Sequence, residues 1–101
     1  MIHQLKILPE YFVAVTEGIK KFEVRQNDRN FKVGDFLALN EFDRMETGRC
    51  CLMEITYILD NADFCKQGQI IMSIKPCTIT KCGEMDIRND VIYQTEKAHI
   101  Y

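Results

Sequence analysis

Long apolar runs, linker segments and paired cysteine motifs are all missing from this 101-residue chain. No stretch approaches the roughly 18 apolar residues that a membrane-spanning helix requires, which excludes an integral membrane protein of the helical kind. Residues 1–12 have no long apolar region after a basic start, so they do not resemble a secretory signal peptide. We therefore expect a cytoplasmic protein without a membrane partner.

The absence of repeats, low-complexity tracts and linkers rich in Pro, Gly or Ser indicates one domain. At 47% hydrophobic and 28% charged residues, a chain of this length has room for a single core. Clear strand patterns stop at Pro76. We therefore assign residues 1–76 to a barrel-like domain and residues 77–101 to an extension that packs on it or completes it. The extension shows only weak strand patterns, near residues 78–80 and 90–94.

The cysteines do not form a recognisable framework. They are five in number, an odd count, and lie at Cys50, Cys51, Cys65, Cys77 and Cys82. There is no C-x-x-C pair, and Cys77, Cys82 and His99 lack the spacing of the common zinc finger and ribbon sites. We predict free thiols packed as small hydrophobic residues, no structural metal and no cofactor.

Hydrophobic periodicity predicts a mainly β fold of the α+β class. Strands are predicted over residues 2–8, 20–26, 36–42, 49–59 and 69–75, with a turn at 33–35, a polar loop at 43–48 and a connection at 60–68. A helix is predicted over residues 9–18, because Pro9 suits the first helical position and Gly18 the left-handed cap. Five to six short strands with one or two short helices favour a closed or nearly closed barrel, since closure leaves few exposed edges.

Charge is unevenly distributed along the chain. The net charge of −2 argues against a general nucleic-acid-binding surface. Between Glu17 and Lys32, however, five cations and three anions give +2, which leaves −4 for the other residues together. Positive charge concentrated in one short segment indicates a local site.

The strand around Glu23 alternates charged and apolar residues. We expect Phe22 and Val24 to face the core, which places Lys21, Glu23 and Arg25 on the opposite face. The carboxylate of Glu23, between cations, stays ionised and can orient a basic side chain towards a phosphate or a base edge. The alternative is a solvated strand face, whose ion pairs contribute about 0–1 kcal/mol each.

In the strand at 49–59, the residues predicted to share one face are Cys51, Met53, Ile55, Tyr57 and Leu59.

Residues 18–25, GIKKFEVR, fit the pattern G-x-K-x-x-E-x-R, which resembles the signature of the ASCH domain (activating signal cointegrator homology) of the PUA-like superfamily. Residues 3–43 are similar to small stand-alone bacterial and phage proteins of that superfamily, which share an LKI-PEYF start, an FEIR-NDR-F core and a VGD turn. The similarity continues at residues 47–49, 55–59 and 70–75, so it covers about three-quarters of the chain.

This resemblance implies a PUA-like pseudo-β-barrel in which the helix and the signature strand line a cleft for RNA or a nucleotide. Gly18 would close the helix and let the backbone approach a ligand. Lys20 and Arg25 would supply positive charge, and Glu23 would orient them or accept from a base amino group. The expected ligand-binding residues are Gly18, Lys20, Lys21, Glu23, Arg25, Asn27 and Arg29. Asn27 and Asp28 also suit a plain turn.

The number of cations in this segment limits the size of the nucleic acid that it can bind. Five cations are too few for a long duplex footprint, so the expected partner is a short single-stranded RNA, an RNA loop or a nucleotide. Tyr11 is a candidate for base stacking, whereas Phe22 is expected in the core.

An enzyme is the alternative. Some small ASCH-like proteins resemble amidohydrolases that remove acyl groups from N4-acylated cytidine, using a signature lysine, a threonine three positions later and a distant glutamate. Lys20 fits the lysine, but Glu23 occupies the threonine position. A carboxylate held between cations is a weak general base, which counts against this chemistry. His3 and His99 are expected to be partly exposed surface residues.

We predict that all five cysteines are reduced in the native protein and that a chelator does not unfold it, because the odd count and irregular spacing suit neither disulfides nor zinc. Thiol titration of the denatured, unreduced protein measures this directly. A count below five, or zinc at a stoichiometric level in metal analysis, contradicts the prediction.

Overall fold

Five strands and one helix make up the part of the chain that the computed structural model describes, residues 1–77. In chain order they are β1 (Ile2–Ile7), α1 (Pro9–Thr16), β2 (Phe22–Gln26), β3 (Phe36–Asp43), β4 (Met45–Leu59) and β5 (Gln69–Pro76). The weak strand patterns predicted near 78–80 and 90–94 lie outside the described residues. Within residues 1–77 no helix has the length and apolar character needed to span a bilayer.

The strands form a single sheet in the order β1-β3-β4-β5-β2, which curls into a half-barrel. β1 pairs with β3 in parallel, and the other three pairings are antiparallel. The predicted α+β pseudo-barrel is therefore confirmed. Since β1 and β2 stand at the two ends of this order, the curled sheet has an open side between them, which we call the seam.

The core lies between the inner face of the sheet and α1. The helix packs against β3 and buries Phe12 and Val15. On the sheet, Leu37, Leu39 and Ile55 have no exposed surface. Burying side chains of this kind contributes about 1.5–3 kcal/mol each, so this layer fixes the position of the helix against the sheet.

The end of α1 leads the chain into β2 by a Schellman motif. Gly18, at φ 76°, donates its N–H to Val15 O at 3.0 Å, and the Ile19 N–H donates to Ala14 O at 2.9 Å. The Lys20 N–H also donates to Ala14 O, at 2.9 Å. The predicted role of Gly18 in ending the helix is thus confirmed, and the motif fixes the backbone of Lys20 at the entrance to β2.

The prediction of a polar loop over residues 43–48 is wrong. β3 continues to Asp43 and β4 begins at Met45, so the connection is a tight hairpin around Arg44, whose φ is 66°. Hairpin turns that need positive φ are usually marked by Gly, Asn or Asp. An arginine at this position gives no such signal in the sequence.

The predicted face of β4 is also wrong beyond Ile55. The register with β5 shifts between Ile55 and Tyr57, which marks a β-bulge. An extra residue in one strand turns the side chains that follow to the other face. Tyr57 is consequently exposed, and Ile58 packs against the core in its place.

An ion pair between the buried carboxylate of Glu41 and the largely exposed side chain of Arg49 joins β3 to β4 and also contacts the helix. The Arg49 guanidinium donates to both carboxylate oxygens of Glu41, at 2.8 and 2.6 Å, and Thr47 Oγ1 donates to Glu41 Oε1 at 2.7 Å. Arg49 also lies over the ring of Phe12, 4.9 Å from its centroid. The hydrogen bonds from Arg49 and Thr47 lower the pKa of Glu41 from 4.5 to about 2, against the effect of burial.

Because this pKa is lower in the folded state, ionised Glu41 favours folding above about pH 4.5, and its contribution is lost as the pH falls towards 2. We predict that Glu41→Gln lowers the thermal midpoint near neutral pH and reduces its fall on acidification. Thermal unfolding followed by circular dichroism from neutral pH to about pH 2.5 measures both effects. Glu54→Gln is the control, since within residues 1–77 the carboxylate of Glu54 makes only a 4.0 Å pair with Lys75. Parallel curves for the wild type and Glu41→Gln contradict the prediction.

Candidate functional site

The two faces of β2 are the reverse of those predicted: the charged face points inward and the apolar face points to solvent. Glu23 lies across from the core residue Met72 and is 2% exposed. Phe22 and Val24, predicted to be core residues, are each 46% exposed. Arg25 shares the inward side with Glu23 and is partly buried. The signature of β2 therefore points into the open side of the half-barrel.

Glu23 is buried together with its counterions. Its Oε2 accepts a hydrogen bond from Lys20 Nζ, and its Oε1 accepts from Arg25 Nε at 2.9 Å and lies 2.8 Å from Arg25 Nη2. The side chains of Lys20 and Arg25 are 16% and 21% exposed, so both cations reach the surface. A buried carboxylate is costly unless it is paired, and here each oxygen has a cation. We call these three residues the Lys–Glu–Arg cluster.

Arginine side chains bridge the seam. Arg25 Nη2 donates to Lys6 O at 2.8 Å, and Arg29 Nη1 donates to Gln4 O at 2.5 Å. Both acceptors belong to β1, the edge strand across the seam from β2. Backbone carbonyls at an edge need partners, and guanidinium groups supply them where no neighbouring strand is paired.

A cleft of about 520 Å³ opens beside the cluster. It lies between the end of β1, the start of α1 and β2, and the charged residues that line it are Lys6, Lys20, Glu23 and Arg25. The rings of Tyr11 and Phe22 also line it and are about half exposed. Lys20 Nζ lies 5.6 Å from the Tyr11 ring centroid and 4.9 Å from that of Phe22. The cleft thus combines cations, exposed aromatic rings and one buried carboxylate.

The other predicted site residues are more scattered. Gly18 and Lys21 do not line this cleft, and Lys21 O accepts from the backbone of β5 instead. Asn27 is exposed and its backbone N–H donates to Gly68 O at 2.8 Å. Arg29 lies 3.5 Å from Asp28 and borders a second cavity along β2.

Lys6 and Phe22 line the cleft, although the sequence pattern predicts neither of them there. Lys6 is distant from the signature in the chain, and only the sheet topology places the end of β1 beside β2. The alternating pattern predicts Phe22 in the core, because an aromatic residue on such a strand normally faces inward. One feature of the sequence does indicate the reverse orientation. Glu23, next to Phe22, has basic residues at Lys21 and Arg25 on the same face of the strand, and these can pair with its carboxylate if it is buried.

The surface position predicted for His3 is wrong. His3 is 5% exposed, packs against Phe31 with the ring centroids 4.6 Å apart, and has Nε2 2.8 Å from Asp35 Oδ2. Burial opposes ionisation of Asp35, but hydrogen bonds from His3, the N-terminal amine and the Lys32 N–H hold its pKa below the usual value. This pair lies outside the cleft lining. His99 is outside the described residues.

Cys50, Cys51, Cys65 and Cys77 are free thiols, and Cys82 lies outside the described residues. Burial, followed by the neighbouring Cys50 and Glu23, raises the pKa of Cys51 to about 12. A thiol with so high a pKa is a poor nucleophile near neutral pH. Within residues 1–77 no group of three or more His, Cys, Asp and Glu side chains is arranged to hold a metal.

Known proteins resemble this chain in sequence or in fold. A sequence profile of the family described as "Domain of unknown function (DUF3850)" matches residues 2–74. The chain belongs to this family. A relative from Escherichia phage P2, the "Uncharacterized 12.9 kDa protein in GpA 3'region", is 36% identical over 83 residues, which cover 77% of this chain and 76% of the relative.

A solved structure supports the architecture. The crystal structure of hypothetical protein PH0355 matches with a TM-score of 0.55 at 17% identity, and the match covers 76% of this chain and 100% of that one. At this identity the likeness establishes the fold alone. The family match spans all five described strands in whole or large part, so the cleft lies within the family's own domain.

The burial of Glu23 makes the cluster important for stability. We predict that Arg25→Ala lowers the free energy of unfolding by about 1–3 kcal/mol, because the buried carboxylate loses one cation and Lys6 O loses its donor. Urea unfolding measures the change. Lys66→Ala, at an exposed position in the β4–β5 connection, is the matched control and should change stability by no more than about 0.5 kcal/mol. Equal effects of the two substitutions show that the cluster behaves as a solvated surface pair.

Proposed function

We propose that the cleft binds a nucleotide or a short single-stranded RNA segment, with Lys20 and Arg25 as phosphate donors and Glu23 as the group that orients them. The observation that carries this proposal is the buried carboxylate of Glu23, which holds one cation on each oxygen at the wall of the cleft. Cations fixed in this way lose little side-chain freedom when an anion binds, so less of the binding free energy is spent on ordering them.

Both cations keep donors for a ligand. Among residues 1–77, Arg25 Nη1 has no hydrogen-bond partner, since the bonds of this side chain are made by Nε and Nη2. Lys20 Nζ donates to Glu23 and, at 2.7 Å, to Phe22 O, which leaves one of its three N–H groups. Charge-assisted hydrogen bonds from such groups are the usual means of holding a phosphate.

The two exposed aromatic rings at the cleft can stack on a nucleotide base. Tyr11 and Phe22 present about half of their surface to solvent at the cleft. Stacking of a base on such a ring contributes about 1–3 kcal/mol and tolerates any base. The outward position of Phe22 therefore adds a second stacking surface to the one expected at Tyr11.

The dimensions and charge of the protein favour a small nucleic-acid ligand. A volume of about 520 Å³ falls within the range of roughly 300–1,000 Å³ found for small-molecule sites. The whole chain carries a net charge of −2, which disfavours the broad cationic footprint of a duplex binder. The resemblance of residues 18–25 to the ASCH signature supports RNA or a nucleotide in particular.

The geometry favours binding over amide hydrolysis. Both oxygens of Glu23 already accept hydrogen bonds from cations, which makes the carboxylate a weak general base. The position of the threonine in the acyl-cytidine hydrolases is occupied by this same glutamate. Glu23 therefore serves as a positioning residue for Lys20 and Arg25.

We predict that Tyr11→Ala and Arg25→Ala each weaken binding of fluorescein-labelled RNA hexamers by about 1–3 kcal/mol, measured by fluorescence anisotropy at fixed salt. Glu23→Gln also weakens binding, because it loosens the two cations that it orients. Lys66→Ala is the control for removal of one positive charge and should leave affinity nearly unchanged. Circular dichroism of each variant establishes that it is folded under the assay conditions.

Three outcomes count against this proposal. Tighter binding by Glu23→Gln shows that the carboxylate only repels phosphate. Equal affinity in the wild type, Tyr11→Ala and Arg25→Ala shows that the cleft is not the site. Hydrolysis of N4-acetylcytidine is assayed in parallel, and turnover that is lost in Lys20→Ala establishes an enzyme instead.

A further inference from the structure

A second cavity adjoins the cleft along β2. Its volume is about 270 Å³, and it shares Val24 and Arg25 with the cleft. Leu5 and Phe31 form its apolar floor, while Gln26 and Gln69 contribute primary amides. A volume below the roughly 300 Å³ at the lower end of small-molecule sites suits an extension of a larger site better than an independent one.

Arg25 is the boundary between the two cavities. Its Nε and Nη2 are engaged by Glu23 and by Lys6 O, so the orientation of the guanidinium is fixed. Within the described residues its Nη1 has no hydrogen-bond partner. A planar guanidinium with donors on a fixed edge matches the geometry of a phosphate. A phosphate at this boundary places one substituent in each cavity.

The second cavity has the chemistry of a base-binding pocket. Gln26 and Gln69 are paired across β2 and β5, so their amides come from adjacent strands. An amide offers both donors and an acceptor, which suits the edge of a base. Besides Arg25 at the boundary, this cavity is lined by Arg29, which lies 3.5 Å from Asp28 Oδ1, and that pairing reduces its pull on a phosphate. A nucleoside therefore fits here better than a second phosphate.

The charges around the two cavities match a short oligonucleotide. Four cations line them, Lys6, Lys20, Arg25 and Arg29, against the carboxylates of Glu23 and Asp28. The resulting surplus of two positive charges suits a ligand with one or two phosphates. A longer polyanion would place further phosphates against a protein of net charge −2.

From these observations we infer that the site takes two consecutive nucleotides. The first base lies by Tyr11 and Phe22 in the cleft, the linking phosphate lies at Arg25, and the second nucleoside enters the cavity between Gln26 and Gln69. This inference rests on the proposed function, since it assigns the ligand length of the same site.

The test compares ligands that differ by one nucleotide. Isothermal titration calorimetry with the full chain measures the affinity of adenosine and uridine 5′-monophosphates and of the dinucleotides pApA and pUpU. We expect at least one dinucleotide to bind about tenfold more tightly than its mononucleotide, the gain from one or two further hydrogen bonds. The double variant Gln26→Ala/Gln69→Ala should lose this gain and keep its affinity for mononucleotides. Gln67→Ala is the matched control, since this exposed glutamine between β4 and β5 lines neither cavity.

The outcomes separate the inference from the function on which it rests. Equal affinity for mononucleotides and dinucleotides overturns the inference and leaves the proposed function standing. A dinucleotide gain that survives in the double variant also overturns it, because the second nucleoside then lies elsewhere. If neither class of ligand binds to the wild type, the proposed function fails and the inference fails with it.

Discussion

The paired carboxylate of Glu23 is the interaction on which the open side of this half-barrel depends. Removing an ionised group from water costs several kcal/mol in a protein, so its burial is stable only with close counterions. The counterions are Lys20, which precedes Glu23 in the chain, and Arg25, which follows it. Arg25 also donates to the Lys6 carbonyl on the edge strand β1. The same contacts that make burial of the carboxylate tolerable therefore hold the two strands of the seam in place and fix the cations at the cleft.

Elements specified by local sequence were predicted well. Pro9 and Gly18 delimit the helix by backbone chemistry that operates within a few residues, and Gly34 marks the turn before β3 at φ 94°. All five strands were placed within a few residues of their bounds in the structure, apart from the hairpin at Arg44. The side chains of Lys20, Glu23 and Arg25 meet as their closeness on one short segment suggests, whereas Lys21, grouped with them, does not line the cleft.

The orientation of β2 could not be predicted in the same way. An alternating strand has the same period whichever face is buried, so hydrophobicity alone assigned Phe22 and Val24 to the core. The choice was decided by groups distant in sequence: Met72 across the ladder and the Lys6 carbonyl across the seam. The contribution of Lys6 to the cleft follows from the parallel pairing of β1 with β3, and the exposure of Tyr57 from a bulge; neither has a local pattern.

The arginine bridges at the seam also bear on how this protein behaves at high concentration. An edge strand with unsatisfied carbonyls is a template on which another chain can add a strand, and many proteins guard such edges with lysine, proline or a bulge. In β1 the carbonyls of Gln4 and Lys6 are already occupied by guanidinium groups of the same molecule. Arg25 and Arg29, which border the cleft and the cavity beside it, thus also protect the first strand from pairing with another chain.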